Sequence, residues 1–346
     1  MTLWKAKREI RVLVVDDSRP VRDMVRSLLK KEAGIEVVGE AVDGADAVSK
    51  VFELHPDVVT MDIEMPVMGG FEAIETIMSR HPVPILALTA LSGVQTAFTA
   101  VTKGALDVML KPELRDNPQK LAQKIRTLSA IDLNALRQLG KVSTPLAAKA
   151  AGKRPRPHGA SVVAIAASTG GPQAIQHILS QLPADFPAPI VVTQHMAEGF
   201  IGGMVDWLNA TSRLAVKIAC NGDYLTQGEV SVNPPQQAMR VSRQGMVLLG
   251  ERDPRLVYNP SCDTLLTAVA EAYGERAIGV ILSGMGDDGV LGMESIKKAG
   301  GATLAQDAGT SAIFGMNALA LQRGCIDRAL PLSEIPGELL SLVWGR

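Results

Sequence analysis

Phe, Trp and Tyr make up only 3% of the 346 residues, too few ring faces for a base-stacking platform on single-stranded nucleic acid. Charge of one sign is missing as well. Against 35 Lys and Arg stand 36 Asp and Glu, so no overall field holds a polyanion or an anionic membrane surface. Cysteine occurs three times, as Cys220, Cys262 and Cys325. These are far apart and show no CxxC or Cys/His spacing, so neither a disulfide framework nor a zinc site is indicated. In MTLWKAKREIRVLVVDD a short apolar run meets two aspartates at once, too short for a signal h-region or a membrane span. The expectation is a soluble cytoplasmic protein with no nucleic-acid partner and no direct membrane insertion.

Apolar residues are plentiful at 47%, with 21% charged, and they are mostly Val, Ile, Leu, Ala and Met, a composition that suits buried parallel sheets covered by helices. Short apolar runs alternate with helical-period segments in two series. The first comprises 11–15, 36–39, 58–61, 85–88 and 107–110, a five-fold βα repeat that predicts a doubly wound domain over 10–130. Between 131 and 159 lie six basic residues, three prolines and an alanine cluster, which reads as a basic linker. A second, mostly parallel α/β domain is expected over 160–346, with strands at SVVAIAA, 190–193, 230–232 and 277–282.

Ligands of open parallel sheets sit outside the carboxyl ends of the strands. In the first domain those ends carry Asp16 and Asp17, then Asp62, Thr89 and Lys111. Three converging carboxylates repel each other unless a hard divalent cation is present, and oxygen-only ligation suits Mg²⁺. Lys111 can neutralise a phosphoryl oxygen and Thr89 can donate to another. Asp62-Ile63-Glu64 also invites a phosphatase reading, but Pro66 and Gly69-Gly70 follow at once.

LVVDD, MDIEMPVMGG, LTA and LKP resemble the receiver domain of two-component response regulators. The resemblance implies a (βα)5 fold in which Asp62 accepts phosphate from a histidine kinase. It further implies that Asp16, Asp17, Asp62 and the Glu64 carbonyl hold Mg²⁺, and that Thr89 and Lys111 read out the phosphoryl group. Two positions depart from the pattern: Gly69 stands where an Asp is usual, and Val108 where a switch aromatic is usual.

The strand ends of the second domain carry Ser168, His195, and Asp287 with Asp288. Serine is a poor nucleophile unless an imidazole takes its proton, and the imidazole needs a carboxylate to hold its tautomer. Ser168-Thr169-Gly170-Gly171-Pro172 reads as a tight strand-to-helix turn whose helix N-terminus can point N–H groups at an oxyanion; an ordinary N-cap role for Ser168 is the alternative. This turn is not a Walker loop, since no GK[ST] is present, and it is not GxGxxG; the GxSxG elbow of common hydrolases is absent as well. His177, about 13 Å along the expected helix from Ser168, is a poor rival base to His195.

ASTGG, QHM, SGMGDDG and the later AQD and FGM segments resemble the catalytic domain of the chemotaxis protein-glutamate methylesterase family, which also has a receiver in front. The resemblance implies hydrolysis of glutamyl methyl esters on methylated chemoreceptor cytoplasmic domains, with deamidation of receptor glutamines, and no cofactor in the catalytic domain. It assigns Ser168 as nucleophile, His195 as base and Asp288 as the orienting carboxylate, with Thr169 and the Met285 amide on the oxyanion side. Asn233-Pro234-Pro235 departs from the family's usual turn. The competing readings are a module that docks a receptor or kinase without turnover, and an esterase acting on another carboxyl ester.

Overall fold

The computed structural model describes residues 9–90, 94–131, 133, 161–196, 199–256, 258 and 260–344. The expected linker, apart from residues 131 and 133, lies outside the described residues. The chain divides into two compact units, Met1–Leu133 and Asn134–Arg346.

The first unit is a five-stranded sheet of β1 (Ile10–Val15), β2 (Ile35–Ala41), β3 (Val58–Asp62), β4 (Ile85–Thr89) and β5 (Asp107–Leu110), in the order β2-β1-β3-β4-β5 and parallel throughout. The helices Arg19–Lys30, Gly44–Leu54 and Gly70–Arg80 connect successive strands, and Pro118–Ser129 follows the last of them. Each run read from the sequence is a strand, lengthened by a residue or two at some ends. The inner strands are apolar on both sides because both faces are covered: all five residues of β3 and of β4 are buried. Burying a Val, Leu or Ile side chain contributes about 1.5–3 kcal/mol, which holds the strand ends in register. The order reverses between β1 and β3, so their carboxyl ends, bearing Asp16, Asp17 and Asp62, flank the crevice at the switch point. Val108 is half-buried and packs on the core.

In the second unit a seven-stranded parallel sheet has the order β14-β13-β12-β6-β7-β9-β8. Its strands are β6 (Val162–Ala167), β7 (Ile190–Gln194), β8 (Ala215–Ile218), β9 (Glu229–Val232), β12 (Ala277–Ile281), β13 (Ala302–Gln306) and β14 (Arg328–Leu330). An antiparallel hairpin, β10 (Gln237–Val241) with β11 (Val247–Glu251), stands apart from it. The sequence reading finds β6, β7, β9 and β12 and passes over the rest. Here the switch point lies between β6 and β12. Ser168 follows β6, His195 follows the adjacent β7, and the Gly284–Gly289 loop follows β12.

Candidate active site

Ser168 leaves β6 into a turn closed by the Gly171 N–H donating to the Ser168 carbonyl (2.8 Å). The next helix, Gly171–Gln181, has Gly170 as its N-cap, in the left-handed region at φ 76°, and Pro172 in its first turn. Ser168 is therefore not the cap, and the alternative raised for it does not hold. A side chain at Gly170 would bring its Cβ within 2.5 Å of Ala312 Cβ and 3.0 Å of Ser283 Oγ, so glycine is required on both conformational and steric grounds.

Neighbouring segments fix this turn from either side. The His195 N–H donates to the Ala167 carbonyl (3.0 Å) and the Ser168 N–H to the Ser283 carbonyl (3.0 Å). Gln194 Nε2 donates to both the Ser168 and His195 carbonyls, at 2.8 and 2.9 Å. Ser283 Oγ donates to the Thr169 carbonyl (2.8 Å) and accepts from the Ile313 N–H (2.9 Å). Serine, base and the loop after β12 thus meet at three adjacent strand ends.

His195 Nε2 donates to Asp288 Oδ2 at 2.7 Å. With its proton on Nε2, the neutral ring keeps the Nδ1 lone pair as its acceptor. Asp288 is 5% exposed, whereas Asp287 is exposed. Four protein donors satisfy the buried carboxylate: Oδ1 accepts from Ser261 Oγ (3.0 Å) and the Asp263 N–H (2.9 Å), and Oδ2 from the Cys262 N–H (2.6 Å) as well as His195. Two of these are first-turn amides of the helix Cys262–Tyr273, whose N-cap is Ser261, so the anion also lies at the positive end of a helix. Burial pushes the Asp288 carboxyl up, but the hydrogen bond and charge of His195 and the two amides outweigh it and hold the group below the usual carboxylate range. The His177 ring meets Gln181 on its own helix (2.6 Å).

At the first unit's switch point, Lys111 Nζ lies 2.8 Å from both Asp16 Oδ2 and Asp62 Oδ2. Asp62 Oδ1 accepts from the Ile63 N–H (2.8 Å). Asp16, Asp17 and Asp62 each offer an oxygen, all within 4.8 Å of one another. Burial raises the Asp62 carboxyl above its ordinary value, with the Asp16 charge adding to the shift and Lys111 opposing it. Burial lowers the Lys111 ammonium, but its hydrogen bonds to the two aspartates prevail and raise it. Thr89 is buried at the end of β4 and its hydroxyl donates to the Ala90 carbonyl (3.2 Å). The Glu64 side chain is exposed. Sequence reading overlooks Arg22, which is buried and donates from Nη1 to the carbonyls of Asp16 (2.7 Å) and Asp17 (3.1 Å).

Two family models match the chain: CheB methylesterase over residues 163–339 and response regulator receiver domain over residues 12–126. A protein-glutamate methylesterase/protein-glutamine glutaminase of Paramagnetospirillum magneticum is 45% identical, with 97% of each chain covered. One from Anaeromyxobacter dehalogenans is 42% identical, with 99% of each covered. The crystal structure of the Thermotoga maritima CheB methylesterase catalytic domain matches with a TM-score of 0.52 at 38% identity, over 54% of this chain and all of that one. The chain belongs to the CheB methylesterase family.

In this CheB-family chain the structure adds site residues that the sequence reading passed over. Asp263 Oδ1 accepts from the N–H groups of Gly289 (2.8 Å) and Gly292 (2.7 Å), which open the helix Val290–Lys298. The two helix starts are cross-capped: Asp288, just ahead of one helix, accepts from the first amides of the other, and Asp263, inside the first turn of that other helix, accepts from the Gly289 and Gly292 amides of the first. Burial, with the charges of Asp288 and Asp287, pushes the Asp263 carboxyl up to about 6 against the pull of the Gly292 and Gly289 amides. Tyr258 stacks on the His195 ring, centroids 5.1 Å apart and planes 8° from parallel, and its hydroxyl is hydrogen-bonded to Asp287. The Ser-x-Asp before an apolar-periodic run is a helix-start signal that could have flagged Ser261 and Asp263; nothing in the local pattern flags Tyr258.

Proposed function

We propose that the protein is a phosphorylation-activated serine hydrolase that removes methyl groups from glutamyl esters on chemoreceptors and deamidates receptor glutamines. The observation that carries this reading is the buried Asp288 carboxylate, held by four donors of which His195 is one, with His195 joined by a backbone bond to the Ser168 turn, in a chain of this family. As His195 Nδ1 takes the hydroxyl proton, Ser168 Oγ attacks the ester carbonyl. Asp288 stabilises the imidazolium that forms. Thr169 and the Met285 amide face the developing oxyanion. The imidazolium then gives its proton to the departing methoxide, releasing methanol. Water attacks the acyl-serine by the same route, leaving a free glutamate. An amide substrate differs only in its leaving group, ammonia. Methylated receptor membranes should release methanol with the wild-type protein and not with Ser168→Ala; release by that variant at most of the wild-type rate refutes the assignment.

Regulation is assigned to the receiver unit, with Asp62 as the residue phosphorylated by a histidine kinase of the chemotaxis system. The oxygen-only set of Asp16, Asp17 and Asp62 fits Mg²⁺, and the Glu64 carbonyl completes the proposed ligands. When bound, the cation offsets the negative charge of the incoming phosphoryl group. Lys111, already seated between Asp16 and Asp62, pairs with a phosphoryl oxygen, and Thr89 turns its hydroxyl from Ala90 toward another. No helix among the described residues is long and apolar enough to cross a membrane, in keeping with a cytoplasmic enzyme acting on the cytoplasmic domains of its receptors. A small-molecule phosphodonor should raise methanol release from the full chain, and Asp62→Asn should leave it low and unresponsive.

A further inference from the structure

Cys262 has no part in the mechanism above beyond its backbone amide, yet its thiol lies against the catalytic pair. The Sγ is fully buried, 3.5 Å from His195 Nε2 and 3.8 Å from the Thr193 carbonyl. His195, Cys262 and Asp288 each present one ligand atom, all within 4.8 Å of one another. We propose that these three side chains form a site for a thiophilic divalent cation of the Zn²⁺ type, and that its occupation switches the hydrolase off.

The spacing fits tetrahedral coordination. Zn–N and Zn–O bonds of about 2.0–2.1 Å and a Zn–S bond of about 2.3 Å place N and S about 3.5 Å apart, and N and O about 3.3 Å apart. The first matches the 3.5 Å between His195 Nε2 and Cys262 Sγ. The second requires Nε2 and Asp288 Oδ2, now 2.7 Å apart, to open by about 0.6 Å. Asp288 can yield that much without losing its frame, since Ser261 Oγ and the Asp263 N–H hold Oδ1 and the Cys262 N–H holds Oδ2. An imidazole and a thiolate favour Zn²⁺ or Cd²⁺ over Mg²⁺, which prefers oxygen ligands.

Inhibition follows from where the protons go. The metal takes the Nε2 lone pair, so the ring proton moves from Nε2 to Nδ1, and Nδ1 can no longer accept the Ser168 proton. The Cys262 thiol loses its proton to solvent as the S–metal bond forms. One proton is released for each ion bound.

The test uses the full chain carrying Cys220→Ala, which removes the exposed thiol, beside the same protein with Cys262→Ala or Cys262→Ser. Methanol release from methylated receptor membranes is titrated with Zn²⁺, each protein measured against its own metal-free rate. Loss of one ligand of three should raise the concentration for half-inhibition at least ~100-fold, and Mg²⁺ should not inhibit at the Zn²⁺ level. Binding is read separately, with Cd²⁺, through the ultraviolet thiolate-to-metal charge-transfer band. That band does not depend on turnover, so it stands or falls apart from the proposed esterase activity. The receiver carboxylates are present in every variant and give no such band. A band that survives loss of Cys262, or equal Zn²⁺ sensitivity with and without the thiol, overturns the proposal.

Discussion

The cross-capped helix starts make Asp263 the sharpest test of how the acid of the triad is held. Replacing it by alanine leaves the buried N–H groups of Gly289 and Gly292 without their 2.8 and 2.7 Å acceptor, at about 1–3 kcal/mol for each donor left unpaired. Relief of repulsion between Asp263 and Asp288 offsets part of this, for a net loss of about 2–4 kcal/mol, or about 5–15 °C in Tm for a domain of this size. Gly289 directly follows Asp288 and caps the helix at φ 103°, so freeing it shifts the carboxylate against His195. A displacement of about 1 Å in such a constellation costs up to ~100-fold in rate. Asp263→Ala should therefore lower kcat for methanol release ~10- to 100-fold with little change in KM. Asp263→Asn keeps an oxygen acceptor and should retain most of the rate. Its stability carries a second signature. Because the folded carboxyl is raised to about 6 from an ordinary value of 3.8, its stabilising effect is full below the ordinary value and is lost as pH rises through about 6. Asp263→Asn should then gain in Tm relative to wild type as pH goes from 4 to 7. A kcat for Asp263→Ala within twofold of wild type, beside the expected fall in Tm, would reduce Asp263 to a helix cap with no hold on catalysis.

Of the two adjacent aspartates, Asp288→Asn should cost about 10⁴-fold in kcat through loss of tautomer control, while Asp287→Asn, on an exposed side chain, should stay within a few-fold; the reverse ranking moves the role one residue upstream. Ser168→Ala, His195→Ala and the double variant should all fall to nearly the same residual rate, because triad members act as a unit; additive losses would show independent roles. Tyr258→Leu removes the ring stacked on His195 and with it the cation–π stabilisation of the imidazolium formed during catalysis, so kcat should fall several-fold. Tyr258→Phe, which keeps the ring, should keep the rate, and an unchanged kcat in Tyr258→Leu refutes a contribution from stacking.

Most of both sheets was legible because parallel strands buried on two faces are short, continuous apolar runs that end abruptly in polar residues. β8 and the β10–β11 hairpin escape that rule: their burial patterns are mixed, with exposed positions in each. β13 hides for another reason. It ends in Gln306, a polar residue that is buried because its Oε1 accepts from the Ser283 N–H (3.0 Å) and its Nε2 donates to the Thr310 carbonyl (2.6 Å). A buried amide satisfied by distant partners looks, in sequence, like a loop residue. The same holds for Asn233 in the unusual Asn-Pro-Pro turn, buried and hydrogen-bonded to the Thr193 hydroxyl (3.2 Å) two residues ahead of His195.

Site residues were legible in proportion to how directly the backbone delivers them. Ser168, His195 and Asp62 stand at or just beyond strand ends, so the period of the strands alone places them at the crevice. Asp287 and Asp288 share one loop, and spacing along the chain cannot rank them; burial and four converging donors do, and those donors come from residues some 25 positions earlier and from His195 just beyond β7. Asp263 lies further still from any local signal, because it works on Gly289 and Gly292 rather than on the imidazole. The carboxylate that orients the base is thus itself oriented by a helix start, and that helix start is fixed in turn by the loop bearing the carboxylate. Neither end of such a closed circuit can be assigned from its own segment, and a substitution at either end should be felt at His195 although only one of them touches it.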